Sequence, residues 1–491
     1  MKTLTTFLDQ KKAFDDRHNS LWWLVLGIIT MSLSHLSYSV DLIAWISMVP
    51  FLIYLQKTSG WKSKLNFAIA LIIAWTVIVL KIITHPIPVF FVFLYSIPIA
   101  LIHLPGYLVW SKFKNHQLTI FIFPAVLVVL EWIQYTFTPL GSWGAAAYTQ
   151  LHSPVMQQLL SIFGMAGLGY LIYWINACIA QLLLTKKTTN INFFIPTISL
   201  IAVIVFGALR MEFSQMKGEN TISVAAVGTN SKVGGLPLPA KEENEMHIDE
   251  ILKRTARAAN FGAEIVVWNE AAFYVLPEDE NKWIESFKTL ANNSSITVVA
   301  SYVLLISTEP LQYENKYILI NDKGQILQTY LKHEPVPGEP AKKGITPFQT
   351  YEVAGSSLGG AICYDYDFPY IAKQYGSQGA DIVTIPASDW RGIDPLHTKM
   401  AGYRAIEQGH SIVRSTRFGL SAGISPYGEM ISSQSSFDNN DKIMMTELPK
   451  EGIRTIYSII GDLFVYGCII FTLISFIYWQ RTLSSKEQAT I

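Results

Sequence analysis

Long apolar runs dominate the first part of the chain and return once near its end. They cover residues 21–36, 42–55, 67–83, 89–110, 118–132, 156–184, 193–209 and about 456–479. A helix needs about 20 apolar residues to cross the hydrocarbon core of a bilayer. The pattern therefore predicts an α-helical membrane bundle of about eight transmembrane helices, seven before residue 211 and one after residue 455.

Residues 211–455 have a different pattern, in which short apolar runs alternate with amphipathic segments and turn residues. Strands are predicted at 222–227, 264–268, 296–304, 358–363, 381–385, 411–415 and 420–424, and helices at 240–260, 281–292 and 395–408. A hairpin is predicted over 316–330, with its turn at 321–324. This alternation is typical of a layered α/β domain. The predicted units are a membrane domain at 1–210, an extracytoplasmic domain at 211–455, and a transmembrane helix with a cytoplasmic tail at 456–491.

The composition indicates a chain divided between lipid and water, since 50% of its 491 residues are hydrophobic and only 15% are charged. The formal net charge is zero and no Lys/Arg-rich block occurs, so we expect no binding to nucleic acid. Basic residues collect in the N-terminal tail and near 57–64, 112–114 and 186–187, whereas the intervening loops hold almost none. Because basic loops stay in the cytoplasm, residues 211–455 are predicted to lie on the outer side of the membrane.

Three residues of the α/β region could carry chemistry together. Cys363 ends one predicted strand, Glu270 follows a second and Lys332 ends the hairpin. Alone, each has an ordinary interpretation as a small buried residue, a loop carboxylate or a solvated amine. At one sheet edge they would supply a nucleophile, a base for the thiol proton, and a cation that stabilises a tetrahedral oxyanion. Cys178 and Cys468 lie in apolar membrane runs, so Cys363 is predicted to be a free thiol.

The order Glu270, Lys332, Cys363, each after a strand, resembles the triad of the nitrilase or carbon–nitrogen hydrolase superfamily, whose fold is an αββα sandwich. Seven predicted helices before this region and one after it narrow the resemblance to the bacterial apolipoprotein N-acyltransferase family. The membrane segments at 131–150 and 163–168 are similar to that family as well. The resemblance implies that Cys363 is the nucleophile that becomes S-acylated, Glu270 the general base and Lys332 the oxyanion residue.

The same resemblance assigns three supporting residues. Glu339 matches an additional glutamate that follows the lysine in the family, and Tyr364 and Asp365 follow the nucleophile. The N–H of Tyr364 is a candidate oxyanion donor, since amides just beyond a strand-end nucleophile point into the site. Asp365 stands where the family has Glu, so we expect a hydrogen bond of that carboxylate to be lost or remade.

Other departures from the family lie beside the triad. Asn269 stands where the family has the proline of Trp-Pro-Glu, and Arg417 with the two residues after it replaces Asn-Asn-Gly. Glu407 and Arg414 are expected to form a buried ion pair. The apolar run at 273–276 has two interpretations, a cover over the site that dips into lipid or an ordinary part of the core.

The function implied by the resemblance is transfer of a fatty acyl group from a phospholipid, through a Cys363 thioester, to the N-terminal α-amine of a diacylated lipoprotein. The implied location is the bacterial inner membrane, with the catalytic domain on the periplasmic side. No cofactor is expected, and no metal, because His333, His397 and His410 lack a ligand spacing such as His-x-x-x-His.

Two alternatives remain open from the sequence. The altered segments are compatible with a membrane-tethered carbon–nitrogen hydrolase, an amidase or nitrilase that passes its acyl group to water. The other alternative is a multispan binding or transport protein with an incidental thiol. Against transport, the predicted helices hold few charged residues, mainly Asp41 and Glu131.

Overall fold

The computed structural model describes residues 20–113, 116, 118–185, 191–214, 220–438 and 441–488. The basic N-terminal tail and Lys114, Lys186 and Lys187, on which the topology prediction partly rests, lie outside the described residues.

The N-terminal part of the chain is entirely helical in its regular structure. Its helices are α1 (Ser20–Ser34), α2 (Asp41–Ala44), α3 (Val49–Lys57), α4 (Trp61–Leu80), α5 (Phe91–Lys112), α6 (Thr119–Phe137), α7 (Pro154–Gln157), α8 (Leu160–Thr185) and α9 (Ile191–Ser214). Five of these helices, and α15 (Leu463–Gln488) near the end of the chain, are long and apolar enough to cross a membrane, which makes six among the described residues. The predicted membrane bundle is thus confirmed.

The count of eight transmembrane helices is not confirmed. The first predicted run forms α1, which is apolar but shorter than a full span, and the second is divided between α2 and α3. Pro50 lies in the first turn of α3, where its missing N–H costs no hydrogen bond. Such a position begins a new helix, so the apolar run at 42–55 is not one continuous span.

The α/β region contains two sheets. The first has the order β13-β1-β2-β4-β5-β6, with β3 beside β4; its strands are β1 (Thr221–Val227), β2 (Ile265–Trp268), β3 (Tyr274–Val275), β4 (Thr297–Thr308), β5 (Leu311–Ile320), β6 (Ile326–Leu331) and β13 (Ile443–Pro449). The second has the order β12-β11-β10-β9-β8-β7; its strands are β7 (Tyr351–Val353), β8 (Ser356–Gly360), β9 (Ile382–Ser388), β10 (Ser411–Arg417), β11 (Leu420–Ile424) and β12 (Met430–Ser435).

Helices cover the outer faces of both sheets, which gives the expected αββα sandwich. Strand residues alternate between two cores, so that Val224 packs between the sheets while its neighbour Ala225 packs under the helices. The helices are α10 (Lys241–Asn260) and α11 (Glu280–Ser294) on the first sheet, and α12 (Pro369–Ser377) and α13 (Leu396–Gln408) on the second. The second helical layer also belongs to the core of the membrane bundle.

A loop at 138–150, which is buried from Leu140 onward and is called the buried loop below, joins the bundle to the sandwich. Ser142 donates from its N–H and its hydroxyl to the Asp367 carbonyl, at 3.0 and 2.7 Å, and Tyr403 of α13 donates to the Ala147 carbonyl at 2.9 Å. The bundle end that carries this loop therefore contacts the sandwich through backbone acceptors as well as through apolar packing.

A second junction forms where α8 is kinked. Gly164 interrupts this helix with a φ of 61°, and a Cβ there would lie 2.5 Å from the ring of Tyr457, in the short helix α14 (Ile456–Ile460). The kink frees the Met165 N–H, which donates to Glu407 of α13 at 2.8 Å. A glycine is required here both for its backbone conformation and for the close approach of the tyrosine.

The expected ion pair between Glu407 and Arg414 is wrong. Glu407 lies 3.1 Å from Arg404, one helical turn away on α13, because residues three apart share a helix face. Arg414 instead binds Asp389, at 2.8 Å. Both Arg404 and Glu407 are fully buried, so each depends on the other for charge compensation.

Replacing Glu407 by Gln keeps an acceptor for the Met165 N–H but leaves the buried Arg404 charge unpaired. We expect Glu407→Gln to lower the free energy of unfolding by about 3–5 kcal/mol, seen as a lower thermal midpoint in detergent. The double variant Arg404→Met, Glu407→Gln removes the unpaired charge and should be more stable than the single variant. A double variant less stable than Glu407→Gln would contradict the pairing.

Candidate active site

Cys363 lies just beyond the carboxyl end of β8, as the first residue of a 3-10 turn spanning Cys363–Asp367. Its φ of 46° is in the left-handed region that residues with a Cβ seldom adopt, so the surrounding structure holds the thiol in a strained position. The Sγ lies 3.5 Å from the carbonyl oxygen of Ser388, the last residue of the parallel neighbour β9. A Cβ on Gly360 would lie 2.5 Å from the Tyr317 hydroxyl, so glycine lets the two sheets close behind the nucleophile.

Glu270, Lys332 and Glu339 form a buried charge cluster. Lys332 Nζ donates to Glu270 Oε1 and to Glu339 Oε2, both at 2.8 Å. Asn315 Nδ2 donates to Oε1 of the same two carboxylates, at 2.8 and 2.9 Å. Both donors to Glu270 use Oε1, which leaves its Oε2 without a hydrogen-bond partner in the described part of the chain. The structure therefore brings together Glu270, Lys332 and Glu339 as expected.

The environment keeps the thiol neutral and the lysine charged. Burial raises the pKa of Cys363 well above its usual value, and the Glu270 carboxylate adds to this effect while Lys332 opposes it. Burial alone would lower the pKa of Lys332, but Glu270 and Glu339 outweigh burial and raise this pKa well above its usual value. Burial acts to raise the pKa of Glu339, but Lys332 more than offsets it and the pKa is lowered. A neutral thiol of this kind would need a base in order to act as a nucleophile.

Asp365 ties the turn of Cys363 to the strand end of Lys332. Its two oxygens accept four hydrogen bonds, at 2.7 to 3.0 Å, from the N–H groups of His333, Glu334 and Ile362 and from the Tyr330 hydroxyl. Burial raises the pKa of Asp365 to about 7, and these donors oppose that rise. The carboxylate of Asp365 therefore binds backbone N–H groups both beside its own turn and beyond Lys332.

The side chain of Tyr364 points into the membrane bundle. Its hydroxyl donates to the Pro139 carbonyl of the buried loop at 2.7 Å. The phenol therefore links the turn of Cys363 to the bundle. The part of Tyr364 that could donate to an oxyanion is its backbone N–H.

A second ionic network lies beside Cys363. Arg414 donates to both oxygens of Asp389, at 2.8 and 2.9 Å. His397 lies between two carboxylates, with Nδ1 2.7 Å from Asp389 and Nε2 3.0 Å from Asp367. The Cys363 Sγ, an Asp389 oxygen and a His397 nitrogen all lie within 4.8 Å of one another. His397 is thus buried beside Cys363, within an ion network and not at the surface.

Sulfur, carboxylate and imidazole are also metal-ligand types. Here, however, Asp389 already has the bidentate Arg414 as its counter-charge, and both ring nitrogens of His397 are hydrogen-bonded. Burial would lower the pKa of His397, but Asp367 and Asp389 raise it to about 9, which favours the imidazolium. The arrangement is typical of an ion network and not of a metal centre.

The network reaches the bundle through Trp143. Its indole Nε1 donates to Asp367 Oδ2 at 2.8 Å. Together with the Tyr364 hydroxyl and the contacts of Ser142, this bond fixes the nucleophile turn to the buried loop at 138–150.

Several residues of this site were not predicted. Asp389 directly follows β9, so the strand-end rule that selected Glu270 could have selected it too. Asn315 lies in the middle of β5, and Trp143 lies in the membrane region, where no chemistry was expected. Their roles depend on side-chain directions that the one-dimensional pattern does not contain.

Buried and half-buried side chains alternate along the run at 273–276. Phe273 and Val275 are buried in the core under α11, and Tyr274 donates from its N–H to Asn244 at 2.9 Å. The interpretation as a lipid-facing lid is therefore wrong for Phe273 and Val275, whose side chains complete the outer core of the first sheet.

The fold and site define a class, a membrane-embedded enzyme whose αββα domain carries a buried Cys, Glu and Lys. Residues 223–457 match the carbon–nitrogen hydrolase family, and residues 27–178 match the apolipoprotein N-acyltransferase N-terminal domain. The chain belongs to the apolipoprotein N-acyltransferase family of the carbon–nitrogen hydrolase superfamily.

The individual relatives have low sequence identity to this chain but match most of its length. The chain is 24% identical to apolipoprotein N-acyltransferase 1 of Treponema denticola, over 91% of this chain and 93% of the relative. It is 24% identical to the apolipoprotein N-acyltransferase of Borreliella burgdorferi, over 69% of this chain and 71% of the relative. Among solved structures, an amidase from Nesterenkonia sp. is 19% identical, covers 47% of this chain and 91% of its own, and has a TM-score of 0.40.

The raised pKa of His397 predicts a specific pH dependence of stability. The folded protein holds this proton to about pH 9, whereas an unfolded histidine loses it near pH 6.5. The stabilisation is therefore complete below pH 6.5 and is lost as the pH rises through about 9. We expect the thermal midpoint of His397→Gln to lie furthest below wild type near pH 6.5 and to approach it near pH 10.

The matched control is His410→Gln. Burial lowers the pKa of His410 to about 3, so this residue is neutral in both folded and unfolded protein above pH 7.5. Its deficit in thermal midpoint should stay constant from pH 7.5 to 10. A constant deficit for His397→Gln over the same range would contradict the imidazolium assignment.

Proposed function

We propose that this enzyme moves a fatty acyl group from a phospholipid, through a thioester on Cys363, to the N-terminal α-amine of a diacylated lipoprotein. The observation that carries the proposal is the position of the cluster: the turn of Cys363 is bonded both to the strand end of Lys332 and to the buried loop of the membrane bundle. The names of the relatives favour acyl transfer over the amidase alternative.

The proposed roles follow from the hydrogen bonds already made. Glu270 is the general base, and its unpartnered Oε2 is the oxygen that accepts the thiol proton. Lys332 stabilises the oxyanion, with the Tyr364 N–H as a second donor. Glu339 keeps Lys332 charged and oriented, and it accepts the Val336 N–H at 2.9 Å, which fixes its own carboxylate.

In the first half-reaction, the Cys363 sulfur attacks the ester carbonyl carbon while Glu270 takes the thiol proton. A carbon–sulfur bond forms, and the negative charge that develops on the carbonyl oxygen faces Lys332. The intermediate then expels the glycerol oxygen, which receives the proton from Glu270. Lysophospholipid leaves and the acyl group remains as a thioester.

In the second half-reaction, the neutral α-amine of the lipoprotein attacks the thioester carbon. Glu270 takes a proton from the attacking nitrogen, the carbon–nitrogen bond forms and the carbon–sulfur bond breaks. The proton returns to the Cys363 sulfur, which restores the resting enzyme. The product is an amide, so the two half-reactions consume one ester and make one amide without a cofactor.

A phospholipid donor is supported by exposed apolar residues in the segment of Glu339 and beside the start of α5, which lies close to that segment. Gly338, beside Glu339, lies close to the ring of Phe91 at the start of α5, since a Cβ on the glycine would be 3.8 Å from that ring. Phe90 is 60% exposed, and Ile345, in the same irregular segment as Glu339, is 92% exposed. Large exposed apolar side chains at a membrane boundary are suited to contact acyl chains.

The distribution of basic residues supports a periplasmic catalytic domain. Lys57 and Lys62 flank the start of α4, whereas the carbonyl of Ile82, beyond the other end of this helix, accepts from Trp390 of the sandwich at 2.7 Å. A helix of 20 residues is about 30 Å long, so the lysines lie on the far side of the bundle. We therefore assign 1–210 to a membrane domain, 211–455 to a periplasmic domain, and 456–491 to a helix that returns to the cytoplasm of a bacterial inner membrane.

Intact-mass analysis of the purified enzyme with phospholipid tests the thioester. We expect wild type to gain one fatty-acyl mass and to lose it when a diacylated lipopeptide is added, with acylated lipopeptide as product. Cys363→Ala should gain no mass. Glu270→Gln should form acyl-enzyme about 10²–10⁴-fold more slowly, and Lys332→Met about 10²–10³-fold more slowly.

The controls are Cys178→Ala and Cys468→Ala, which change buried thiols in the membrane helices and should acylate like wild type. Acyl-enzyme that discharges to free fatty acid with lipopeptide present would favour the hydrolase. Wild type that gains no mass, although Cys363 can be alkylated, would overturn the proposal.

The orientation is tested with single cysteines in a Cys178→Ala, Cys363→Ala, Cys468→Ala background. Lys323, in the β5–β6 turn, and Lys57 are both exposed. In intact cells with a permeable outer membrane, a membrane-impermeant maleimide should label Lys323→Cys but label Lys57→Cys only after lysis. The reverse labelling would place the sandwich in the cytoplasm.

A further inference from the structure

Arg417, one of the departures from the family pattern, lies at the end of β10 with its side chain almost fully buried. Its Nε donates to the Ser388 hydroxyl at 2.9 Å, and its Nη1 donates to the Ala271 carbonyl at 3.2 Å and to the Ser231 carbonyl. Its Nη2 donates to the Val233 carbonyl. One guanidinium therefore joins three segments, each at the carboxyl end of a different strand.

Two of these partners are next to the reacting groups. Ala271 directly follows Glu270 and has a φ of 50°, so its backbone is held in an unfavourable conformation. Ser388 belongs to the other sheet, and its carbonyl oxygen is the atom 3.5 Å from the Cys363 Sγ. Arg417 thus bridges the two sheets between the loop of the base and the strand end beside the nucleophile.

The positive charge of Arg417 is relevant to the site in addition to its hydrogen bonds. Burial lowers the pKa of Arg417, while the charges of Glu270, Tyr313, Cys363 and Glu339 act in the opposite direction. Its hydrogen-bond partners in the described chain are carbonyls and a hydroxyl, with no carboxylate among them. Glu270, Glu339 and Lys332 together carry a net charge of −1, which would oppose a developing oxyanion. Arg417 brings the sum to zero.

We propose that Arg417 is a positioning residue of the acyl-transfer site, which fixes the distance between Glu270 and Cys363 and balances the second carboxylate of the cluster. The inference rests on the proposed function. A residue that served only as a structural tether would affect folding and rate, but it would leave the ionisation of Cys363 unchanged.

The test compares Arg417→Gln, which removes the charge, with Arg417→Lys, which keeps the charge but loses the multidentate fork. The first readout is the pH dependence of Cys363 alkylation by iodoacetamide, followed on the peptide that contains this residue. Besides Arg417, the charged groups around the thiol are Glu270, Lys332, Arg414, Asp389 and His397, and all are unchanged in both variants.

We expect the alkylation midpoint to rise by about one pH unit in Arg417→Gln and to stay near the wild-type value in Arg417→Lys. Acyl-enzyme formation should fall about 10²-fold in Arg417→Gln and less in Arg417→Lys, because misplacement of reacting groups by about 1 Å costs this much. The loss should appear in kcat and in kcat/KM for the phospholipid donor.

Arg391→Gln is the matched control, since Arg391 is exposed and stacks 3.6 Å over the ring of Phe437. It should keep the wild-type midpoint and rate. An unchanged midpoint in folded Arg417→Gln, verified by its thermal midpoint, would overturn the charge role. A wild-type acylation rate in that variant would overturn the positioning role. Alkylation needs no phospholipid, so these outcomes are separate from a wild-type enzyme that forms no acyl-enzyme.

Discussion

The site depends on the two ion pairs that the ammonium group of Lys332 makes with Glu270 and Glu339. This ammonium group joins Glu270, which is buried just beyond β2, to Glu339, which is mostly buried in the irregular segment beyond β6. A buried ion costs several kcal/mol unless nearby charges and hydrogen bonds compensate it. The two carboxylates compensate the charge of Lys332. Each carboxylate is in turn stabilised by Lys332 and by a hydrogen bond from Asn315. The cluster is therefore stable only when all its members are in place.

A second constraint concerns the turn of Cys363, which is bound to the membrane bundle. Cys363 has a strained backbone, and a strained turn persists only when its surroundings over-determine it. Asp365 fixes the turn to the strand end of Lys332, whereas Tyr364 and Asp367 fix it to the loop at 138–150. A sandwich without the bundle would lose half of these bonds. The bundle is in this sense part of the active site and not only an anchor.

The sequence was most informative where one rule acted alone. Apolar runs and their alternation predicted the bundle and most strands of the sandwich, and strand ends identified Glu270, Lys332 and Cys363. The edge strands β12 and β13 were not predicted, because sheet edges need no strong apolar alternation. The partners of Arg414 and Glu407 were mistaken, because the choice among several buried counter-charges depends on tertiary geometry. Arg417 was noticed only as a departure, since its contacts join segments distant in sequence.

The residues that depart from the family pattern share one physical feature. Their side chains hydrogen-bond to backbone groups and not to the side chains of Glu270, Lys332 or Cys363. Asn269, in the place of a proline, accepts from the Thr229 N–H at 2.7 Å and donates to the Glu270 carbonyl at 2.9 Å, two bonds that proline cannot make. Asp365 binds three N–H groups, and Arg417 binds three carbonyls. Each of the three residues thus supports backbone beside Glu270, Lys332 or Cys363. Under the proposed function, the reaction depends on the positions of Glu270, Lys332 and Cys363, and these backbone supports hold the loops that carry them.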